Sequence, residues 1–200
     1  MYSVFFKQVI DFYLALILFI FFSPFLLIIY LILYILIGSP LYFQKRPGYK
    51  NKTFTIYKFK TLIDKKCKIN RLDKKTFKFG IFLRKTGMDE LPQLVNVLKG
   101  EMAFIGPRPL LIKYLKFKQF KKHPRSKCYP GITGLAQLQR NKNSKKGKWK
   151  THLDLDKFYY ENLSFFLDLK IYFMTFVKIF LLYEKEDYLS EKPLTRKNYK

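Results

Sequence analysis

Residues able to do chemistry are few in this 200-residue chain, because acids are scarce: 14 Asp plus Glu stand against 39 Lys plus Arg. Two of those acids are adjacent, in Met88-Asp89-Glu90-Leu91-Pro92-Gln93. From Leu91 onward the apolar positions Leu91, Leu94, Val95 and Leu98 follow helical spacing, and Gly100 stands where a helix would stop. Pro92 suits a first turn, where its missing N–H has no intrahelical partner. The spacing therefore predicts Asp89 at or just before a helix N-terminus. Exposed N–H groups and the helix dipole there favour an ionised carboxylate and would also attract a phosphate. Taken alone, these residues leave a second reading open, in which Asp89 only caps the helix and Glu90 is a solvated acid.

Cations flank the acids. Arg84 lies five residues ahead of Asp89, at the end of Ile81-Phe82-Leu83-Arg84. Phe54 to Thr61 reads as a strand with Lys58 and Lys60 on one face and Tyr57 and Phe59 on the other. Two lysines so placed could grip a diphosphate, or hold only water. Arg108 sits between Pro107 and Pro109, which restrict the backbone on both sides. A guanidinium fork held in this way is well made for a phosphate, although a tight turn with a solvated arginine has the same sequence. Cys67 and Cys128 are far apart and His123 and His152 lack ligand spacing, so neither a disulfide framework nor a metal centre is indicated.

The elements that must position these groups begin with an apolar segment. Apart from Lys7 and Asp11, every charge lies beyond Gln44, so the formal +25 belongs to the remainder of the chain. Such a surface seeks anions: nucleic acid, lipid headgroups or phosphorylated substrates. Phe12 to Ile37 is an uncharged run of about 26 residues, roughly 39 Å as a straight helix and enough to span a hydrocarbon core. It is too long for a cleaved signal peptide, and no small-x-small site follows. Ser23-Pro24 near its middle would bend a helix, and both flanks lean positive, which would hold both ends in the cytoplasm. A re-entrant helix that bends at Ser23-Pro24 and returns is expected, with a kinked span as the alternative. Lys7 and Asp11, four apart, can pair where the helix meets the headgroups.

Further along, Arg46-Pro47-Gly48 signals a turn, Ile63 to Lys78 a polar loop or short helix, and Met102 to Ile105 a short buried strand. Leu110 to Lys122 is expected as a basic amphipathic helix with Leu111, Tyr114, Leu115 and Phe117 on its apolar side. Pro130 to Gln137 is turn-rich and brings backbone close to something. Arg140 to Lys150 is a lysine-laden loop without recognisable chemistry. Trp149 to Asn162 is expected to be helical. Leu163 to Tyr183 reads as a helix packed on the domain and lying at a membrane interface, with a second span as the alternative. The tail from Glu184 is charged.

Taken together, these motifs resemble the small monotopic phosphoglycosyltransferases, the bacterial sugar transferase family that starts glycoconjugate assembly on polyprenyl phosphate. The likeness runs through Ser23-Pro24, Arg46-Pro47-Gly48, Tyr57-Lys58-Phe59-Lys60-Thr61, Asp89-Glu90-Leu91-Pro92-Gln93, Asn96-Val97-Leu98-Lys99-Gly100, Ile105-Gly106-Pro107-Arg108-Pro109-Leu110, Pro130-Gly131-Ile132-Thr133-Gly134-Leu135-Ala136-Gln137 and Asn162-Leu163-Ser164-Phe165 with Asp168-Leu169-Lys170. In length the chain most resembles the minimal members, such as those that transfer diacetylbacillosamine phosphate in bacterial protein glycosylation. It departs from the pattern after Gln137, where an expected Asn-Gly-Arg-Asn run reads Gln139-Arg140-Asn141.

The resemblance implies a helix-rich α+β fold in a monotopic membrane protein, with interfacial amphipathic helices around a small catalytic core. Its divisions would be a re-entrant helix over 1–37, a catalytic domain over 38–183 and a flexible tail over 184–200. It also implies transfer of a phospho-sugar from a UDP-sugar to undecaprenyl phosphate, with release of UMP, at the cytoplasmic face of the bacterial inner membrane. Asp89 would be the nucleophile and Mg²⁺ contact, and Glu90 its partner carboxylate. Lys58, Lys60, Arg84, Arg108, Gln137 and Asp168 would bind phosphate or substrate. Anionic lipids and downstream membrane glycosyltransferases are the expected partners, and nucleic acid is not. The competing class is a membrane-tethered basic binding protein. It would show salt-dependent DNA or RNA binding and indifference to Asp89; no nucleic-acid motif supports it.

Overall fold

In the computed structural model the described residues are 4–62, 78–138 and 148–181. Cys67, nearly all of the loop expected over 63–78, most of the lysine-laden loop from Arg140 and the tail over 184–200 lie outside them.

The apolar run forms a single helix, α1 (Val4–Ile37), assigned without interruption through Pro24. Pro24 cannot donate to the carbonyl of Ile20, four residues back. The Ser23 hydroxyl donates to that same carbonyl at 2.8 Å, so the acceptor orphaned by the proline is satisfied from the neighbouring side chain. Among the described residues, α1 alone is long and apolar enough, by length and composition, to cross a membrane.

By its internal packing the chain divides into two compact units. One comprises Met1–Asp11, Lys45–Phe54 and Glu101–Lys200, the other Phe12–Gln44 and Thr55–Gly100. The hairpin of β1 (Leu41–Pro47) and β2 (Thr53–Phe59), like α1, carries residues of both.

In the second unit, α2 (Lys78–Thr86) leads through Gly87 to a 3-10 turn over Met88–Gln93 and then α3 (Leu94–Leu98). Ile29, Leu33 and Ile37, four residues apart on α1, form one buried stripe with Phe59 and Leu83. Elsewhere on the same helix Phe21, Ile28 and Ile35 are more than half exposed. The helix expected from Leu91 is thus α-helical only from Leu94. Before that the backbone bonds are tighter, as in Glu90 N–H to Gly87 O at 3.0 Å. Its stop is as the spacing predicts: Gly100 takes φ +68°, a conformation that costs glycine little.

In the first unit, β3 (Ala103–Ile105) and β4 (Gly131–Thr133) pair in parallel, with Ala103 opposite Gly131 and Ile105 opposite Thr133. All three β3 residues are buried. The object that Pro130–Gln137 approaches is the backbone after β3. A Cβ at Gly131 would fall 2.1 Å from the Gly106 nitrogen, and one at Gly134 would fall 2.2 Å from the Gly106 oxygen. α4 (Lys118–Lys121), α5 (Leu135–Leu138), α6 (Lys148–Glu161) and α7 (Phe165–Leu181) complete the unit.

The amphipathic helix expected over Leu110–Lys122 does not form. A 3-10 turn over Ile112–Lys116 gives way to extended backbone at Phe117, and only the four residues of α4 follow. Tyr114 and Phe120 are both buried with Leu153. Six residues apart, they would point about 120° away from each other on one straight helix, so the chain breaks between them to bury both.

Candidate active site

The acidic pair lies in the 3-10 turn over Met88–Gln93, with Asp89 and Glu90 in its first turn. The turn is entered through Gly87, whose φ of +73° costs glycine little, just after Arg84 and Lys85 in the last turn of α2. Pro92 and Gln93, at its end, are buried, whereas Asp89 and Glu90 are partly exposed.

Lys58 comes to this turn from β2. Its Nζ donates to Glu90 Oε1, and both side chains are about four-fifths buried. This sheltered ion pair ties the Glu90 side chain of the turn to β2. Lys60, just past the end of β2, donates instead to Ser39 Oγ at 3.2 Å. The two lysines predicted to share a face therefore have different partners.

Asn96, to which the sequence pattern gives no role, sets the register of this arrangement. It is fully buried on α3. Its Oδ1 accepts from Tyr57 N–H at 3.1 Å and its Nδ2 donates to Thr55 O at 2.7 Å. One side-chain amide thus does what a neighbouring strand would do along β2, fixing the backbone one residue before Lys58. Lys99 adds a bond to the Tyr57 hydroxyl at 2.7 Å. The available signal was a polar residue inside the apolar run Leu94-Val95-Asn96-Val97-Leu98.

Arg84 and the two carboxylates thus share the second unit with Lys58 and Lys60, while Arg108, Gln137 and Asp168 belong to the first. Arg108 is half-buried directly after β3, between buried Pro107 and Pro109. Gln137, on α5, donates from Nε2 to Ile132 O at 3.1 Å. Lys178 on α7 donates to the Gln137 carbonyl at 3.2 Å, a cation placed where the helix leaves acceptors unfilled.

Asp168 is 3 % exposed and sits in a buried network. Lys7 Nζ lies 2.6 Å from Asp168 Oδ2 and 3.5 Å from Asp11 Oδ2. Tyr159 OH is 2.7 Å from Asp168 Oδ1, and Phe104 N–H reaches Asp11 Oδ2 at 3.3 Å. The expected Lys7–Asp11 pair is present, with Asp168 as a third member that the sequence did not reveal.

Among the described residues no cluster of three or more His, Cys, Asp or Glu could form a metal cage. Adjacent Asp89 and Glu90, one of them already paired with a lysine, offer hard oxygen donors too few to enclose an ion. That donor set suits Mg²⁺, which commonly takes one or two carboxylates and completes its shell with water and substrate phosphates.

The model of the bacterial sugar transferase family matches residues 2–181. The chain is 46% identical over 148 residues to the uncharacterized sugar transferase EpsL of Bacillus subtilis, covering 72% of this chain and 71% of that protein. It is 34% identical over 189 residues to a UDP-glucose:undecaprenyl-phosphate glucose-1-phosphate transferase of Klebsiella pneumoniae, covering 88% of this chain but only 40% of that longer protein. It is also 34% identical over 176 residues to the exopolysaccharide production protein ExoY of Rhizobium meliloti, covering 77% of this chain and 76% of the relative.

Proposed function

The chain belongs to the bacterial sugar transferase family, and on that premise we propose that it moves a phospho-sugar from a UDP-sugar to undecaprenyl phosphate. An Asp89 oxygen attacks the β-phosphorus. The bond from that phosphorus to the bridging oxygen breaks, and UMP departs with the electron pair. A phosphosugar-aspartyl intermediate remains. An oxygen of the polyprenyl phosphate then attacks the same phosphorus, the carboxylate leaves, and the product is a polyprenyl-diphosphate-sugar. Glu90, held by Lys58, assists the second nucleophile. The observation that supports this reading best is that sheltered ion pair, which anchors the residue next to Asp89 to a lysine of β2 within the same unit.

Arg84, Arg108 and Lys60 bind phosphate oxygens, Gln137 contributes to substrate binding, and Asp168 acts through its buried network with Lys7 and Tyr159. Mg²⁺, held by Asp89, would supply neutralising charge to the diphosphate. α1 is read as re-entrant, both ends cytoplasmic, with the Ser23 bond to Ile20 O permitting Pro24 inside the bilayer. Phe166, Leu169, Phe173 and Phe176 are more than half exposed along α7, which supports an interfacial position beside anionic lipids. The protein then works at the cytoplasmic face of the inner membrane, and membrane glycosyltransferases consume its product. Labelling of a cysteine placed near residue 3 from the far side of the membrane would overturn the re-entrant topology.

The donor has two readings. The motif resemblance allows diacetylbacillosamine, whereas the activity of the Klebsiella relative favours a hexose such as glucose. A screen of UDP-sugars for UMP release, with undecaprenyl phosphate as acceptor, separates them. Asp89→Asn must abolish release while the protein stays folded; undiminished turnover in that variant excludes the mechanism.

A further inference from the structure

The segment Pro107-Arg108-Pro109 has every backbone carbonyl occupied, each by a donor from a different part of the first unit. Gly131 N–H donates to Pro107 O at 3.1 Å. Arg125 Nη2 donates to Arg108 O. Arg46 Nη1 donates to Pro109 O at 3.1 Å. The two prolines have no N–H and a fixed φ, so three anchored carbonyls leave this stretch with almost no backbone freedom.

The anchors are themselves held. Gly131 is in β4, paired to β3. Arg125 is largely buried, and its Nη1 lies 3.2 Å from Asp156 Oδ2 on α6. Cys128 N–H donates to Arg125 O at 3.2 Å, and Arg125 N–H donates to the His123 side chain at Nδ1, also at 3.2 Å, so the turn that carries it is fixed. A charge-assisted bond to a peptide carbonyl is a costly use of a buried guanidinium unless the position of that carbonyl matters.

We propose that Arg125, braced by Asp156, and Arg46 are positioning residues for Arg108. By occupying the carbonyls of Arg108 and Pro109 they fix the backbone from which the Arg108 guanidinium reaches a substrate phosphate. The inference rests on the reading of Arg108 as a phosphate-binding residue. Neither arginine touches substrate in this account; each acts only through the geometry of Arg108. Misplacement of such a group by about 1 Å costs on the order of a hundredfold in rate.

A double-mutant cycle on the full chain in membranes or detergent tests it, reading UMP release with the residual rate of Arg108→Lys as the second background. Arg125→Met and Arg46→Met should each lower turnover about tenfold to a hundredfold in the wild-type background, with an unchanged unfolding temperature for Arg46→Met. In the Arg108→Lys background either change should cost less than about twofold further, because the group it positioned is already gone. Losses that multiply in full, or undiminished turnover in both single variants, overturn the proposal. If Arg125→Met does not fold, the Arg46→Met cycle alone decides by the same criterion. Full activity in Arg108→Lys and Arg108→Ala would overturn the phosphate reading itself, a result distinguishable from failure of the positioning role.

Discussion

Lys7→Met should be among the most destabilising single changes in the chain outside the acidic turn. Lys7 is 4 %, Asp11 2 % and Asp168 3 % exposed, and one ammonium stands 2.6 Å and 3.5 Å from the two carboxylates. Those oxygens are therefore no more than about 6 Å apart. At an effective dielectric of about 20, two unit charges at that separation repel by about 3 kcal/mol once the cation is removed. Loss of the charge-assisted bond adds to this, so the expected cost is about 3–5 kcal/mol, the range for breaking a buried pair. Methionine keeps most of the side-chain volume, so the effect is one of charge and not of a cavity. Denaturant unfolding of the purified protein in detergent, followed by tryptophan fluorescence, gives the number. The double variant Lys7→Met, Asp168→Asn removes one of the opposed charges and should recover at least half of the loss. A cost below about 1 kcal/mol for Lys7→Met, or no recovery in the double variant, would refute the reasoning.

Further expectations follow from the same geometry. Gly131→Ala places a Cβ 2.1 Å from Gly106 N and 2.4 Å from Thr133 O, and should cost about 3 kcal/mol or more. Gly87→Ala, with nothing within 4 Å but φ at +73°, should cost only about 1–2 kcal/mol; equal unfolding midpoints for the two would contradict the contact. Asn96→Leu strands Tyr57 N–H and Thr55 O, should cost about 2–4 kcal/mol, and should lower UMP release even well below the unfolding temperature, since Lys58 then loses its placement. Burial, opposed by the Arg125 charge, raises the Asp156 carboxyl from 3.8 to about 6. Because the folded value exceeds the unfolded one, its contribution to stability is full below about pH 4 and is lost as pH rises through 6, by no more than about 3 kcal/mol. The unfolding temperature of the native protein relative to Asp156→Asn should therefore fall between pH 4.5 and 7.5, and a parallel pair of profiles would contradict the assignment.

Much of the fold was legible because it is locally encoded. The end of α1 at Ile37, the helix over Lys148–Glu161, the buried strand at Ala103–Ile105 and the stop at Gly100 each follow from periodicity or punctuation in a short window, whereas the start of α1 at Val4 lies ahead of the uncharged run. The spacing over Leu110–Lys122 predicts one helix, because a short window does not reveal that Tyr114 and Phe120 must both reach Leu153. The acidic pair and Lys58 were legible as candidates, but the bond between Lys58 and Glu90 joins residues 32 apart. Asn96 and Arg125 were not legible as determinants of the site. Each acts on the backbone of a distant residue, and a side chain's bond to a remote carbonyl or N–H leaves no mark on the spacing of its neighbours. Asp168 was legible as an acid of interest, but the Lys7 that neutralises it lies 161 residues away.

Asp89 becomes covalently joined to phosphorus in the proposed reaction, and the most direct measurement of this is the mass of the protein after incubation with UDP-sugar and Mg²⁺ in the absence of acceptor. Rapid acid quenching and peptide mapping should find a phospho-sugar on the peptide that contains Asp89, absent in Asp89→Asn and discharged by undecaprenyl phosphate. An adduct that maps to another residue, or none at all under conditions that support turnover, would contradict it.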